Sequence, residues 1–404
     1  MKKRILVCGI IMNCAGTEKS FLSFANQIDY DKYDVDLLLA EKTGLLLDYV
    51  PKQINIIEMP KYGDMFTLSG ANAASVIWRD FVKENPLTLF EILPYAMKMV
   101  LNPKKKSDTA MRMWCHFLQK FPEMAGEYDI CLAYWGDKSM FYMADKVKAK
   151  RKIAWLHFDY ANPPRDDELY LGYFKKCDNI VTVSEVIDAS LKGKFPEIAD
   201  RCVMMENIND PALIRDMALR GDTFPDAAYR GLRVLSVGRI SHQKAYDTVV
   251  PALARLRAEG FDFRFYILGG GDEADVNALK EMAVDAGVAD MLILLGTTAN
   301  PYTYMRDCDI YIQPSRHEGK PIAVEEAKIL LCPIIVSRYL SADEQMAGGE
   351  LGMVTDIGTE GVYSALKKML SDKALRDSYS DRLSKIRFGN ASEFAKFEDM
   401  VSDL

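Results

Sequence analysis

Only four histidines occur in 404 residues, and no two cysteines stand at C-x-x-C spacing, so the chain has little from which to build a zinc site. The eight cysteines, at positions 8, 14, 115, 131, 177, 202, 308 and 332, fall mostly in apolar or element-end contexts. That pattern implies reduced thiols and a cytosolic compartment. No apolar run reaches the ~18–20 residues of a membrane span. There is no low-complexity tract and no repeat of solenoid period. No G-x-G-x-x-G loop is found, which argues against a nicotinamide-dependent oxidoreductase. No D-x-D pair lies near a strand end, so no metal site is expected. The net charge of −7 gives no global attraction to nucleic acid or anionic lipid. The start "MKKRILVCGIIMNCAGTEKS" has the basic-then-apolar form of a signal peptide. Its apolar run is short and Asn13, Glu18 and Lys19 follow closely, so a buried first strand entering a loop fits better.

What the sequence does contain is alternation. "RILVCGI", the loop "MNCAGTEK", the helical "SFLSFANQI" and "YDVDLLLA" make a βαβ unit. Residues from about 62 to 125 read as helical and rich in Met and aromatics. Strands then resume with "YDICLAYW", "KIAWLHFDY", "NIVTV" and "CVMMENIND". A polar, turn-forming stretch near 220–233 precedes a second series: "VLSVGRI", "FRFYILGGG", "DMLILLG", "CDIYIQPS" and "CPIIVS". Apolar strands separated by amphipathic helices indicate parallel sheets covered on both faces. Two series imply two doubly wound α/β domains.

In such sheets ligands bind beyond the carboxyl ends of strands, where the unusual residues fall. In "SVGRISHQKAYD", Gly238 permits a tight turn and Arg239 and Lys244 supply two cations suited to a diphosphate, unless they are ordinary loop charges. In "HEGKPIAVEEA", a helix is predicted from Pro321, with the amides of Gly319 and Lys320 at its start. Glu318 projects from the loop as an acceptor or a cap. Glu326 shares a face with Ile322, Ala323, Ile329 and Leu330, whereas Glu325 turns toward Lys328 and solvent. A carboxylate on the apolar face must be satisfied, either by ligand hydroxyls or by an Arg or Lys elsewhere in the chain. "NCAGTEKS" brings Gly16 to the first βα turn. "YILGGGDEAD" carries Asp272 and Glu273 directly after its glycines, which suits a turn better than a phosphate cradle. His157 and Asp159 stand at a strand end. "ILPYAMKMVLNPKKKSDTAMRMWCHFLQKF" mixes apolar residues with Lys98, Lys104, Lys105, Lys106, Arg112 and Lys120, as in helices that lie on anionic membranes, or as in a core helix pair with a solvated turn.

In this order the pieces resemble the retaining glycosyltransferases of family 4, of the kind found in surface polysaccharide biosynthesis. The match rests on Glu318-x7-Glu326 after "IQPSRH", on Gly238, Arg239 and Lys244, on "AGTEKS" and on "LLGTTANPYTYMRDCDIYIQPS". It covers nearly the whole chain. Two departures stand out: "EGKP" where E-G-F-G is usual, and Ala15 in place of the first glycine of the N-terminal pair.

The resemblance implies the GT-B fold: two Rossmann-like domains facing a cleft, with the final helix crossing back. The expected boundaries are 1–207 for acceptor binding, 208–385 for the nucleotide sugar and 386–404 for the returning helix. It implies a catalytic set of His157, Glu318, Arg239 and Lys244. Donor contacts are implied at Gly16, Gly238, Arg239, Lys244, Glu318, Gly319, Lys320 and Glu326, the last on the ribose hydroxyls. Glu206 and Asn207 would lie at the hinge. The implied reaction moves a sugar, with retention, from a nucleotide-diphosphate donor (UDP first, GDP open) to a hydroxyl of a glycan or lipid-linked acceptor, with no cofactor and no catalytic metal. Expected partners are the donor, the acceptor and an anionic membrane touched through residues 92–120, at the inner face of the cell membrane, with no nucleic acid. Two alternatives are a GT-B sugar-nucleotide epimerase and a non-catalytic sugar-nucleotide-binding subunit.

Overall fold

The computed structural model describes residues 2–13, 16–68 and 72–404. Thirteen strands fall in two parallel sheets: β1 (Lys3–Cys8), β2 (Tyr33–Leu39), β3 (Asn55–Glu58), β4 (Tyr128–Ala133), β5 (Ala149–Leu156), β6 (Asn179–Thr182), β7 (Cys202–Met204), β8 (Leu232–Val237), β9 (Phe263–Leu268), β10 (Leu292–Gly296), β11 (Ile310–Gln313), β12 (Ile334–Ser337) and β13 (Met353–Thr355). Sequence reasoning found eleven of these. The short β3 and β13, with only half-buried apolar positions, gave no comparable run.

The first compact unit contains residues 25–205 with the N-terminal strand and residues 395–404. Its sheet order is β3-β2-β1-β4-β5-β6-β7. Ile5, Leu6, Val7 and Cys8 are all buried, as expected of a central parallel strand covered on both faces. The last residues of the chain are tied in by Lys3 Nζ donating to the Val401 carbonyl at 3.2 Å and by an Arg151–Asp403 ion pair at 2.6 Å. Among the described residues, three α-helices stand between β3 and β4. One of them, Lys106–Leu118, buries Trp114, Cys115, Phe117 and Leu118. The aromatic half of the basic 92–120 segment is therefore core. An aromatic-rich face at helical spacing serves a core as readily as a bilayer, and sequence alone does not separate the two.

The second unit contains residues 206–394 together with the described residues 16–24 of the helix Gly16–Ala25. Its sheet order is β10-β9-β8-β11-β12-β13. Strand alternation sends Val234, Phe265, Ile267, Ile310, Ile312 and Ile335 into one core, and Leu235, Tyr266, Tyr311, Ile334 and Val336 into the other. In this sheet β8 and β11 are direct neighbours although two strands and several helices separate them in sequence. That adjacency is the switch point of a doubly wound sheet, where the loops leaving two neighbouring strands part and open a crevice.

The loops beyond β8 and β9 are laced together. Gly238 N–H donates to the Leu268 carbonyl at 3.0 Å, and Ile240 N–H donates to the Gly270 carbonyl at 2.7 Å. A Cβ at Gly269 would stand 2.1 Å from the Gly238 carbonyl oxygen, a backbone atom that cannot swing away. Gly269→Ala is expected to cost about 2 kcal/mol or more through forced backbone movement. A thermal midpoint equal to that of the parent chain would contradict this packing.

Candidate functional site

The crevice at β8/β11 holds a carboxylate and a cation in direct contact. Lys244 ends the short 3₁₀ turn His242–Lys244 beyond β8. Ala245 follows with φ 58° and ψ 32°, a left-handed conformation that costs a residue bearing a Cβ roughly 1 kcal/mol. Buried completely, Ala245 turns the chain sharply into the helix Tyr246–Ala258. The Lys244 stem runs through the space that a side chain at Gly238 would fill, since a Cβ there would lie 2.9 Å from Lys244 Cε. From this position Lys244 Nζ donates to Glu318 Oε1 at 2.6 Å.

Glu318 is 8% exposed and is held mainly through one oxygen. Its Oε1 also accepts from Ser315 Oγ at 2.6 Å and from Gln313 Nε2 at 3.2 Å. Among the described residues, Oε2 has only a long contact of 3.4 Å from Gln243 Nε2. A carboxylate has about four lone-pair positions, so the acceptor capacity left over lies on Oε2.

The two loops are strapped together. The Arg316 guanidinium forks onto Asp247 at 2.8 and 2.6 Å, and Arg316 N–H donates to the Gln243 carbonyl at 2.8 Å. The Arg316 hydrogen bonds hold the Asp247 carboxyl below its usual range.

Glu326 is 2% exposed on the helix Ile322–Ile329, which Pro321 caps. Its inward companions are Ile322, Val324, Ala327 and Ile329, so the apolar face is rotated slightly from the one predicted with Ala323 and Leu330. Protein groups satisfy its charge. Lys19 Nζ donates to Oε1 at 3.0 Å and to Oε2 at 3.2 Å, and Tyr302 O–H donates to Oε1 at 2.7 Å. Lys19 also lies 4.9 Å from the centre of the Tyr302 ring. Of the two sequence readings, the structure has the ion pair, and the burial of Glu326 requires no ligand. Glu325 is not turned to solvent. It pairs with Lys328 at 3.0 Å and accepts from Gln345 at 2.9 Å.

The structure thus brings Gly238, Lys244 and Glu318 together, with Gly319 buried in the loop beside them. Arg239 is exposed beyond β8, with no ion pair among the described residues. Gly16 opens its helix beside Ile322, 3.7 Å from where a Cβ would meet that side chain, so protein neighbours do not demand glycine there. Cys14 and Ala15 of the same loop lie outside the described residues. Lys320 is engaged: its ammonium pairs with Glu206 at 2.5 Å and Glu344 at 3.6 Å. Burial pushes the Lys320 pKa down, but Glu325, Glu206 and Glu344 outweigh burial and the net shift is upward. His157 belongs to the first unit, just past β5, with its ring 4.9 Å from that of Tyr134. Among the described residues no group of three or more His, Cys, Asp or Glu side chains is arranged to hold a metal ion.

Sequence reasoning missed Lys19, Tyr302, Gln313, Ser315, Gln243 and the Lys320–Glu206 pair. Gln313 and Ser315 had a usable signal, two polar residues at the end of a fully buried strand. Lys19 is 307 positions from Glu326 and had none.

Residues 229–385, which include this crevice, match the family model of the Glycosyl transferases group 1. A Campylobacter jejuni protein, N-acetylgalactosamine-N,N'-diacetylbacillosaminyl-diphospho-undecaprenol 4-alpha-N-acetylgalactosaminyltransferase, is 30% identical over 195 residues, 48% of this chain and 49% of that protein. Rhizobium meliloti LpsE, a lipopolysaccharide core biosynthesis glycosyltransferase, is 28% identical over 150 residues, 37% of this chain and 42% of its own. The chain therefore spans less than half the length of these curated relatives. Among solved structures, Anabaena HepE in complex with UDP-glucose superposes with a TM-score of 0.70 at 13% identity, over the full length of both chains. Staphylococcus aureus TarM, in complex with fondaparinux, alpha-GlcNAc-glycerol and UDP, gives 0.68 at 10% identity over 99% of this chain and 100% of its own. These likenesses show the fold: two parallel-sheet α/β units of the GT-B type.

The Lys19–Glu326 pair is nearly dry, with side-chain exposures of 13% and 2%. Removing one partner strands a buried charge, whereas removing both does not. Lys19→Met and Glu326→Leu are each expected to cost about 3 kcal/mol, and the double variant less than either single one. Urea denaturation of the four chains measures the cycle, and additive losses would count against a coupled pair.

Proposed function

We propose that the chain is a retaining, metal-independent glycosyltransferase of family 4, moving a sugar from a UDP-sugar to a hydroxyl of a glycan or lipid-linked acceptor. The observation that carries this reading is the Lys244–Glu318 bridge at the switch point of the segment matching the glycosyltransferase model. It joins an ammonium suited to a diphosphate with a carboxylate that retains acceptor capacity on one oxygen. The protein relatives named above act in glycan assembly, and the UDP complexes belong to structural neighbours of the same fold.

In this reading Lys244 and Arg239 neutralise the diphosphate, and most strongly as the bond to the sugar breaks and charge builds on the leaving oxygen. Glu318 Oε2 accepts from sugar hydroxyls, with Gly238 and Gly319 giving close backbone approach. The bond between the anomeric carbon and the phosphate oxygen breaks. The acceptor oxygen bonds to that carbon on the same face, and its proton passes to the departing diphosphate. His157 joins the catalytic set by the resemblance alone, as does Gly16 on the donor side. Glu326 can take the ribose hydroxyls only alongside, or in place of, Lys19. The Lys320 ammonium is held by Glu206 and Glu344, so in this reading Lys320 meets the donor through its backbone amide. The names of the relatives support a glycan or lipid-linked acceptor, and the inner-face location and anionic-membrane contact belong to the same reading.

UDP is expected to raise the thermal midpoint of the parent chain. Arg239→Ala should lower transfer by roughly a hundredfold or more while melting like the parent, and Glu318→Gln should lower it as much but also lower the thermal midpoint, because it leaves the Lys244 ammonium without its counter-charge. Transfer from a UDP-sugar should persist in EDTA, and proton NMR of the product should show the donor's anomeric configuration. UDP binding without any transfer would favour a binding subunit. A changed sugar in the UDP-sugar pool without acceptor would favour an epimerase.

A further inference from the structure

The helix Thr88–Leu101 is apolar on the side that faces water. Thr88, Glu91, Ile92, Tyr95 and Met99 turn inward, where the Tyr95 ring meets that of His116 at 5.8 Å. Phe90, Leu93, Met97 and Val100 form the outer stripe at positions i, i+3, i+7 and i+10, and Phe90 is 73% and Val100 78% exposed. Leu87, Leu89 and Leu101 widen it. The helix's single acid, Glu91, is drawn away from this stripe by Lys120 at 2.6 Å and His116 at 2.9 Å. Lys120 in particular holds its carboxyl below the ordinary range. At the end of the stripe Lys98, Lys104, Lys105 and Lys106 are all exposed. An apolar band this continuous on a water-facing helix marks an interaction surface.

We infer that this face docks the protein on an anionic bilayer, with Phe90, Leu93, Met97 and Val100 entering the acyl boundary and the four lysines at the headgroups. Charge selects this occupant. The outer stripe carries no acid that a second copy could set against those lysines, whereas anionic headgroups complement them. Length fixes the mode. Fourteen residues rise about 21 Å, short of the ~30 Å hydrocarbon layer, so the helix lies in the plane of the interface. Among the described residues no helix is long and apolar enough to cross a membrane. The inference moves the membrane contact of the transferase reading from residues 92–120 to this helix and the lysines after it, and rests on the exposed surface whether or not transfer is confirmed.

Flotation with vesicles tests it, with no sugar nucleotide present. The parent chain should co-float with vesicles of equimolar phosphatidylglycerol and phosphatidylcholine at low ionic strength, and far less with phosphatidylcholine alone. Lys104→Gln/Lys105→Gln/Lys106→Gln should weaken that binding roughly a hundredfold. Phe90→Ser/Val100→Ser should weaken it about tenfold or more at unchanged charge. All five substituted side chains are exposed, so each variant should melt like the parent. Equal flotation with both lipids, flotation unaffected by either variant, or concentration-dependent self-association that Phe90→Ser/Val100→Ser abolishes and vesicles do not compete with, would each overturn the assignment. Loss of flotation in these variants with transfer to a water-soluble acceptor intact would uphold the surface and leave the transfer reading to its own tests.

Discussion

Lys244 and Glu318 are 74 residues apart in sequence and 2.6 Å apart in space, and the sheet order alone makes this possible. β8 and β11 are neighbours because the chain winds outward from β8 to one edge, then returns to begin again at its other side. Every other feature of the crevice serves to hold that one contact in place. Ala245 takes an unfavourable backbone conformation to turn the Lys244 loop. Gly238 gives the lysine stem its path, and the Arg316–Asp247 fork ties the two loops so that neither drifts. The bridge is partly desolvated, with side-chain exposures of 17% and 9%. It offers limited stability for its desolvation cost. Its position at the switch point, with an under-used oxygen facing out of the pair, argues for a role in recognition as well as in folding.

Glu326 teaches the opposite lesson about the same helix. Its burial predicted that something must neutralise it, and that physical demand was correct. The identity of the partner was not legible, because Lys19 comes from the far end of the chain and Tyr302 from a helix whose register no local pattern fixes. A buried carboxylate specifies an electrostatic complement without specifying its source. Glu318 differs because its neighbours, Gln313 and Ser315, are local. Polar side chains at the end of a fully buried strand announce a site within a few residues of themselves.

The strand series and both doubly wound sheets were readable for a related reason. Parallel strands buried on both faces need unbroken apolar runs, and "RILVCGI", "FRFYILGGG" and "CPIIVS" supply them without reference to anything distant. β3 and β13 lie toward sheet edges, where one side is uncovered, and their "NIIE" and "MVT" carry no such run. Lys320 illustrates a third limit. A lysine at a helix start can meet an anion, a sugar or a protein acid, and only the fold shows that Glu206 and Glu344 have taken it.

The helix Thr88–Leu101 inverts the usual arrangement of a surface helix. Surface helices put acids outward and apolar residues inward, because an exposed carboxylate keeps its hydration and an exposed phenylalanine gains nothing from water. Here the acid is turned off the outer face and half-buried, and Phe90 is outside. Keeping Glu91 inward requires Lys120 and His116 as dedicated partners, and leaving Phe90, Leu93, Met97 and Val100 outward gives up the free energy their burial would release. An apolar medium on the outer side would recover that free energy, and clearing acids from the outer stripe makes an anionic surface the medium it can approach. The inner half of the same Met- and aromatic-rich segment is ordinary core, with Trp114 and Phe117 fully enclosed. One stretch of sequence therefore serves two apolar environments, and the sign of the charge that accompanies each side chain is what distinguishes them.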